Sequence, residues 1–89
     1  MAELYPTKTR LALLQAVADG QVYQGTWYQD EDFWADGVRD RNVTARMADL
    51  RRAGWVELGG RDPGKQWRRL WRLTAAGAAV LAASKESAS

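Results

Sequence analysis

Apolar residues recur every three or four positions near the start of the chain, a spacing that predicts an amphipathic helix. The recurring positions are Leu11, Leu14, Val17 and Ala18. Thr7 precedes them and can cap the helix, and Asp19-Gly20 follows and can end it. We therefore expect the first helix to lie between Thr7 and Asp19.

A second apolar stripe lies near the middle of the chain. Its positions are Val43, Met47 and Leu50, spaced i, i+4 and i+7. This spacing places the three side chains on one face of a helix. Asn42 or Asp40 can cap that helix, and Gly54 can end it. The pattern predicts a helix over about 41–53.

The segment between these two helices has a different character. Residues 21–29 are rich in Tyr, Val, Thr and Trp, which favours a short strand. Asp30, Glu31 and Asp32 then place three acids where the first turn of a helix would stabilise them. Because Asp36-Gly37 is a breaking pair, we interpret 30–36 as a short second helix.

The second half of the chain predicts a β-hairpin. Residues 55–58 are typical of a strand, and residues 67–73 alternate with a two-residue period. The intervening segment 59–66 is rich in glycine, which favours a loop, and it places Arg61 and Lys65 at the tip.

The chain closes with an alanine-rich stretch that predicts a final helix. Thr74 can cap it, and the stretch continues through Ala83. A length of 89 residues, with 46% hydrophobic and 27% charged residues, fits one folded domain and not a disordered chain. We expect a single domain over 1–84 and a frayed polar tail over 85–89.

The composition argues against an enzyme. The chain has no histidine and no cysteine, which removes the commonest general base, the thiol nucleophile and most transition-metal sites. The acids at 30–32 do not match a calcium loop, and Gly59-Gly60 lacks the residues of a phosphate-binding loop. We predict no catalytic activity, no cofactor and no metal.

Cysteine usage and hydropathy also suggest a cellular location. Without cysteine the chain has no disulfides, which fits a reducing compartment. No apolar run approaches the roughly 20 residues that cross a bilayer, and the N-terminus lacks a signal-peptide pattern. We expect a cytoplasmic protein that does not contact membranes.

The net charge of +2 conceals an uneven distribution of charge. Residues 30–40 carry five acidic and one basic side chain, a net charge of −4. Residues 41–72 carry nine basic and three acidic side chains, a net charge of +6. A basic segment of this kind is typical of proteins that bind nucleic acid, although many charge runs are merely solvated surface.

The basic segment includes the face of the predicted 41–53 helix that points away from its apolar stripe. That face and its flanks carry Arg41, Asn42, Thr44, Ala45, Arg46, Ala48, Asp49 and Arg52. Small side chains allow a helix to approach another surface closely, and Asn, Thr and Arg can contact base edges and phosphates. The pattern favours a DNA-binding helix.

The order of these elements resembles the winged helix-turn-helix family. Residues 43–56 are similar to the end of a recognition helix and its junction with the wing. Residues 72–77 resemble the junction between the wing and the last helix of MarR-like and PadR-like regulators. The resemblance implies an α+β, mainly helical fold, with a three-helix core, a small β-wing hairpin and a C-terminal helix.

The resemblance also implies a function, which is sequence-specific binding of double-stranded DNA by a transcriptional regulator. The helix over 41–53 would lie in the major groove, and the wing loop 59–66 on the backbone or in the minor groove. The DNA-binding residues expected on this basis are Arg41, Asn42, Thr44, Ala45, Arg46, Ala48, Arg52, Arg61, Lys65 and Arg68.

Two other functions remain open. The acidic and aromatic segment 27–36 favours a protein-interaction module that captures a partner through Phe33 and Trp34. A small domain with no effector region also suits an architectural or excision factor of a mobile element. A monomer and a weak homodimer through the small residues of the last helix are both compatible with the sequence.

The five tryptophans have two expected roles. Trp55, Trp67 and Trp71 lie at strand positions, where large aromatic side chains fill a core. Trp27 and Trp34 lie in the acidic segment, where they would either fill a core or contact a base or a partner protein.

Overall fold

The computed structural model describes residues 5–25 and 31–88, with the side chains of 66, 67 and 86–88 left aside. Three helices and five strands follow one another in these ranges. They are α1 (Lys8–Ala18), β1 (Val22–Gly25), β2 (Glu31–Ala35), β3 (Asp40–Asn42), α2 (Thr44–Arg52), β4 (Val56–Asp62), β5 (Lys65–Leu73) and α3 (Ala75–Ala88). No helix of the described ranges is both long and apolar enough to span a membrane.

The five strands form one antiparallel sheet in the order β3-β2-β1-β5-β4. The central strand β1 pairs with β2 on one side and with β5 on the other. Residues paired directly across an antiparallel ladder point to the same face of the sheet. The register therefore places Val22 and Trp34 on one face, and Tyr23, Phe33 and Leu70 on the other.

The core lies on the Val22 face of the sheet, which we call the helical face. Side chains from all three helices join side chains of β1, β4 and β5 in one buried cluster. Its members are Leu13, Leu14, Ala16, Val17, Val22, Val43, Met47, Leu50, Trp55, Val56, Trp71 and Leu81. The predicted core positions of Trp55 and Trp71 are confirmed, whereas the side chain of Trp67 and all of Trp27 lie outside the described part.

Local signals correctly predicted the start of α1 and the end of α2. The Thr7 side chain accepts a hydrogen bond from the Arg10 N–H at the start of α1. Gly54 has a φ of 80° after α2, where its N–H and that of Trp55 donate to the carbonyls of Arg51 and Leu50. This left-handed closure satisfies carbonyls that the helix end would otherwise leave without partners. The predicted ends at Thr7 and Gly54 are confirmed.

The predicted winged helix-turn-helix fold, with its mainly helical three-helix core, is wrong. The chain instead folds as a five-stranded antiparallel sheet with three helices packed on it. The likeness of residues 43–56 and 72–77 to MarR-like and PadR-like regulators therefore does not extend to the fold. The two short junctions fix a helix end and a strand end, but they do not fix the structure of the residues before them, where β2 and β3 lie.

The decisive difference is at the predicted second helix over 30–36. Residues 31–35 form β2, which returns through a tight turn to β3. The Asp36 carboxylate accepts from the N–H groups of Val38 and Arg39, and Gly37 takes a φ of 92°. Aspartate followed by glycine is a common hairpin signal, and the side-chain bonds of this aspartate stabilise the turn. The pair that was interpreted as a helix breaker makes a hairpin.

The second hairpin is more extensive than the sequence indicates. The predicted 59–66 loop is wrong, because β4 continues to Asp62 and β5 begins at Lys65. A register irregularity between Leu58 and Arg61 accommodates Gly59 and Gly60. A side chain on Gly59 would lie 2.9 Å from the carbonyl oxygen of Leu70, so this position needs glycine.

The face of the sheet opposite the helices has an internal network of its own. The rings of Tyr23 and Phe33 stack with centroids 5.6 Å apart, and the Arg68 guanidinium lies 4.3 Å from the centre of the Tyr23 ring. The Tyr23 hydroxyl donates to Asp40, and Arg68 forms an ion pair with Asp62 at 2.7 Å. The hydrogen bond from Arg68 holds the pKa of Asp62 below its usual value.

This network predicts a loss of stability in alkali. Burial, together with the hydrogen bond to Asp40, raises the pKa of Tyr23 from 10.0 to about 12. Its stabilising contribution is therefore complete below pH 10 and is lost as the pH rises through about 12. In a titration followed by tyrosinate absorbance, Tyr23→Phe should remove the late step near pH 12. It should also reduce the fall in the free energy of unfolding between pH 10 and about 12. Tyr5→Phe, at a tyrosine that is 80% exposed, should leave both unchanged; the same late step in Tyr23→Phe would refute the assignment.

Candidate functional site

Asp32 joins three elements at the start of α2. Its carboxylate accepts a hydrogen bond from the indole N–H of Trp71 at 2.7 Å, and the residue is only 6% exposed. Its backbone N–H donates to the Thr44 hydroxyl at 2.9 Å, and its carbonyl accepts from the Val43 N–H at 2.8 Å. These bonds hold the first turn of α2 against β2 and β5.

A cleft of about 530 Å³ opens beside this junction, between α2 and the helical face. The sheet contributes Gln24, Asp32 and Trp71 to its lining, and α2 contributes Thr44, Met47, Ala48, Arg51 and Arg52. Met47 and Trp71 are buried, so they form the apolar base of the cleft, while Arg51 and Arg52 are exposed. The cleft thus combines a buried carboxylate with two cationic side chains on α2.

The strand pairing shows which residues lie beside the cleft on the same face of the sheet. Gln24 pairs with Asp32 on one side and with Arg69 on the other, and Arg69 pairs in turn with Arg61. Directly paired residues share a face, so Arg69 and Arg61 lie on the helical face in line with the cleft. Both residues are exposed. We call Arg51, Arg52, Arg61 and Arg69 the basic groove.

Like charges directly opposite one another on neighbouring strands destabilise a sheet. Arg61 and Arg69 occupy such a pair. Arg69 donates to the carbonyl of Gly59 at 3.0 Å, which orients the guanidinium toward β4 without neutralising it.

The exposed side of α2 carries four of the ten residues predicted to bind DNA. These are Ala45, Arg46, Ala48 and Arg52. Arg52 forms an ion pair with Asp49 at 3.6 Å, with both side chains largely in solvent. Arg46 and Arg51 have no hydrogen-bond or ion-pair partner among the residues that the structure describes. Their guanidinium groups are therefore available to an external partner.

Four more of the predicted residues have roles within the fold. Arg41 and Asn42 belong to β3, because the predicted 41–53 helix begins only at Thr44. Arg41 lies over the Trp34 ring at 4.4 Å and forms an ion pair with Asp36 at 3.1 Å.

Asn42 and Thr44 support the entry to α2, while Arg68 belongs to the network on the opposite face. The Asn42 side-chain oxygen accepts from the Thr44 N–H at 3.0 Å. The predicted cap at Asn42 or Asp40 is nevertheless wrong, because the N-cap of α2 is Val43, which makes no side-chain capping bond. Thr44 is half-buried against Asp32 and does not lie on the outer side of α2. Arg68 is held by Asp62 and Tyr23.

The last two predicted residues, Arg61 and Lys65, belong to the second hairpin and are exposed. The sequence reasoning missed Arg51 and Arg69. Arg51 follows Leu50 on the flank of the apolar stripe, so it did not belong to the face opposite that stripe. Arg69 alternates with Trp67 and Trp71, the strand residues that the sequence predicts to fill the core.

Phe33 and Trp34, the predicted anchors for a protein partner, are half-buried and engaged within the chain. Phe33 stacks on Tyr23, and the Trp34 indole donates to the Gln21 side chain at 3.3 Å beneath Arg41. A role in protein capture stays a prediction, but a partner would have to displace these contacts to reach either ring.

Comparisons with known protein families, with curated proteins and with solved structures found no match to this chain. Among the residues that the structure describes, no group of three or more Asp, Glu, His or Cys side chains is arranged to hold a metal ion. The functional assignment therefore depends on the charges and shape of the site itself.

Proposed function

We propose that this protein binds double-stranded DNA, with the exposed side of α2 in the major groove and the arginines of the second hairpin on the phosphate backbone. The observation that most supports this is the basic groove: Arg51 and Arg52 of α2 flank the same face of the sheet as the opposed pair Arg61 and Arg69. Phosphate oxygens are the natural partners of such exposed guanidinium groups.

Part of this charge has a purely structural explanation. Arg51 and Arg52 lie in the last turn of α2, where cations interact favourably with the helix dipole. That explanation does not apply to Arg61 and Arg69, which lie on β4 and β5 and oppose each other directly. An anionic partner that spans both elements accounts for all four arginines at once.

The dimensions of α2 are compatible with a major groove. Nine residues at about 1.5 Å each give a helix about 14 Å long, and the groove is about 12 Å wide. The small side chains of Ala45 and Ala48 allow the outer side of the helix to approach the bases closely. Arg46 and Arg52 supply donors that match guanine edges or phosphates. These features favour sequence-specific binding, which suits a transcriptional regulator.

The proposal predicts a strong dependence of affinity on salt. Fluorescence anisotropy with a labelled duplex of about 20 base pairs should detect binding at low salt, and the logarithm of the association constant should fall linearly with that of the salt concentration. Four phosphate contacts correspond to a slope of about −3.6. Absence of binding at 50 mM salt, or an affinity that does not change with salt, would rule the proposal out.

Specific binding requires a further comparison. Selection of bound sequences from a random duplex pool should enrich one motif, and a palindromic motif would indicate that two copies bind together. An unenriched pool, combined with the salt dependence above, would instead favour the architectural role. Both outcomes are compatible with the DNA interface. They differ in whether the protein acts as a sequence-specific regulator or as an architectural factor.

A further inference from the structure

Asp49 is the only acidic residue in the sequence of α2. It follows Ala45 by four positions, so its side chain lies beside that exposed alanine on the same face of the helix. The Asp49 side chain is 44% exposed. A carboxylate on the side of a helix that meets DNA is repelled by phosphates, so it weakens binding unless it bonds to a donor that the DNA provides.

No stabilising role within the fold explains this acid. Aspartate is a poor helix former, and a negative charge near the C-terminal end of a helix interacts unfavourably with the helix dipole. The ion pair of Asp49 with Arg52, at 3.6 Å and largely in solvent, contributes little to stability. The Asp49 carboxylate accepts no hydrogen bond from the residues that the structure describes, so it is available to an external donor.

Bases offer such donors in the major groove. Cytosine presents its N4 amino group there, and adenine presents its N6 amino group beside the N7 acceptor. A carboxylate beside adenine would also meet the lone pair of N7, to which an ionised acid has no proton to donate. Cytosine is therefore the better partner. Aspartate is short and must approach the base closely, which the small side chains of Ala45 and Ala48 allow.

We infer that Asp49 is a specificity-determining residue, whose carboxylate accepts a hydrogen bond from the N4 amino group of a cytosine in the major groove. The arginines of the basic groove hold the phosphates, and Asp49 selects one base pair. This role rests on the proposed function, because it requires α2 to lie in the major groove. Phosphate contacts carry no sequence information, so the preference for this base pair depends on Asp49.

Parallel selections from a random duplex pool, with the parent protein and with Asp49→Asn, test this role. The variant keeps the size of the side chain but replaces one acceptor oxygen with an amide group that donates. Asparagine matches adenine, since it bonds to both N6 and N7. We expect a position at which the parent prefers cytosine and the variant prefers adenine. In anisotropy titrations of two duplexes that differ only there, each protein should favour its own base about tenfold.

Glu57→Gln is the matched control. Glu57 is also an exposed acid in an ion pair with an arginine, at 2.8 Å from Arg72. It pairs across the sheet with Arg72, which lies two positions from Leu70 and so on the face of the sheet opposite the helices. The control removes the same charge as Asp49→Asn, away from α2, and should keep the cytosine preference of the parent.

Three results would overturn the role of Asp49. They are a parent selection in which no G·C pair is enriched, an Asp49→Asn variant that selects the same bases as the parent, and a Glu57→Gln variant that shifts from cytosine to adenine as Asp49→Asn does. Each of these results leaves the salt-dependent binding of the parent in place. A parent protein that binds no duplex at low salt would instead refute the proposed function itself, and this role with it.

Discussion

Gly77→Ala should lower the free energy of unfolding by about 3 kcal/mol, which corresponds to a fall of roughly 12 to 24 °C in melting temperature for a domain of this size. A β-carbon at Gly77 would lie 1.9 Å from the carbonyl oxygen of Trp55 and 2.8 Å from its carbonyl carbon. Both atoms are backbone atoms, so no side-chain rotation can relieve the clash.

Gly77 is closely packed because the first turn of α3 lies directly against the backbone of Trp55, in the segment that joins α2 to β4. The carbonyl of Trp55 accepts from the Thr74 N–H at 3.0 Å, and the Thr74 hydroxyl accepts from the Gly77 N–H at 3.1 Å. Alanine is intrinsically the better helix former by about 1 kcal/mol, and this gain is smaller than the expected cost of moving α3.

Gly60→Ala is the matched control for this prediction. Nothing lies within 4 Å of a β-carbon at Gly60, and its φ is not in the left-handed region. We expect a change within about 0.5 kcal/mol. Denaturant unfolding of the two variants side by side gives the comparison, and equal stabilities would contradict the close packing of α3 on Trp55.

Asp32→Ala should destabilise the protein by about 2 kcal/mol, because it leaves the buried indole N–H of Trp71 without its acceptor. The Trp71 side chain is 3% exposed, so water cannot replace the lost carboxylate without opening the core. Asp32→Asn should cost less, since the amide oxygen still accepts a hydrogen bond. Denaturant unfolding of both variants measures the difference.

A double-mutant cycle separates this bond from the rest of the junction. Trp71→Phe removes the indole N–H while it keeps most of the apolar bulk. If the bond carries the effect, Asp32→Ala and Trp71→Phe together should cost about 1 kcal/mol less than the sum of the single changes. Simple additivity would show that Asp32 stabilises the fold through other contacts.

Signals that act within a few residues allowed three helix ends and the presence of both strands of the second hairpin to be predicted, although not the start of α2 or the full length of the strands. Thr7, Gly54 and Thr74 each determine a cap through bonds to residues three to five positions away. The strand predicted from the alternation of residues 67–73 is likewise confirmed as part of β5. These features need no knowledge of the rest of the fold.

The strand β2 could not be predicted in this way, because its acids have a meaning that only the tertiary structure supplies. Three acids in a row suit the first turn of a helix. Asp32 instead bonds to Trp71, which is 39 positions away, and this pairing determines which face of β2 is buried. Tertiary contacts override local preference most easily in a segment this short.

The candidate site was predictable only in part, for a similar reason. The exposed side of α2 follows from the apolar stripe of Met47 and Leu50, so Arg46 and Arg52 were found. The pairing of Arg61 with Arg69 depends on the irregularity at Gly59 and Gly60, which shifts the register of the hairpin. A periodic pattern cannot reveal a register that such a shift has changed.

The most direct test of the DNA interface compares salt slopes between paired variants. Arg51→Gln/Arg52→Gln and Arg61→Gln/Arg69→Gln each remove half of the basic groove, and Arg39→Gln removes one exposed arginine outside it. If all four arginines contact phosphates, each double variant should reduce the magnitude of the slope by about 2, with Arg39→Gln unchanged. Parent-like slopes in both double variants would show that DNA does not bind at the basic groove.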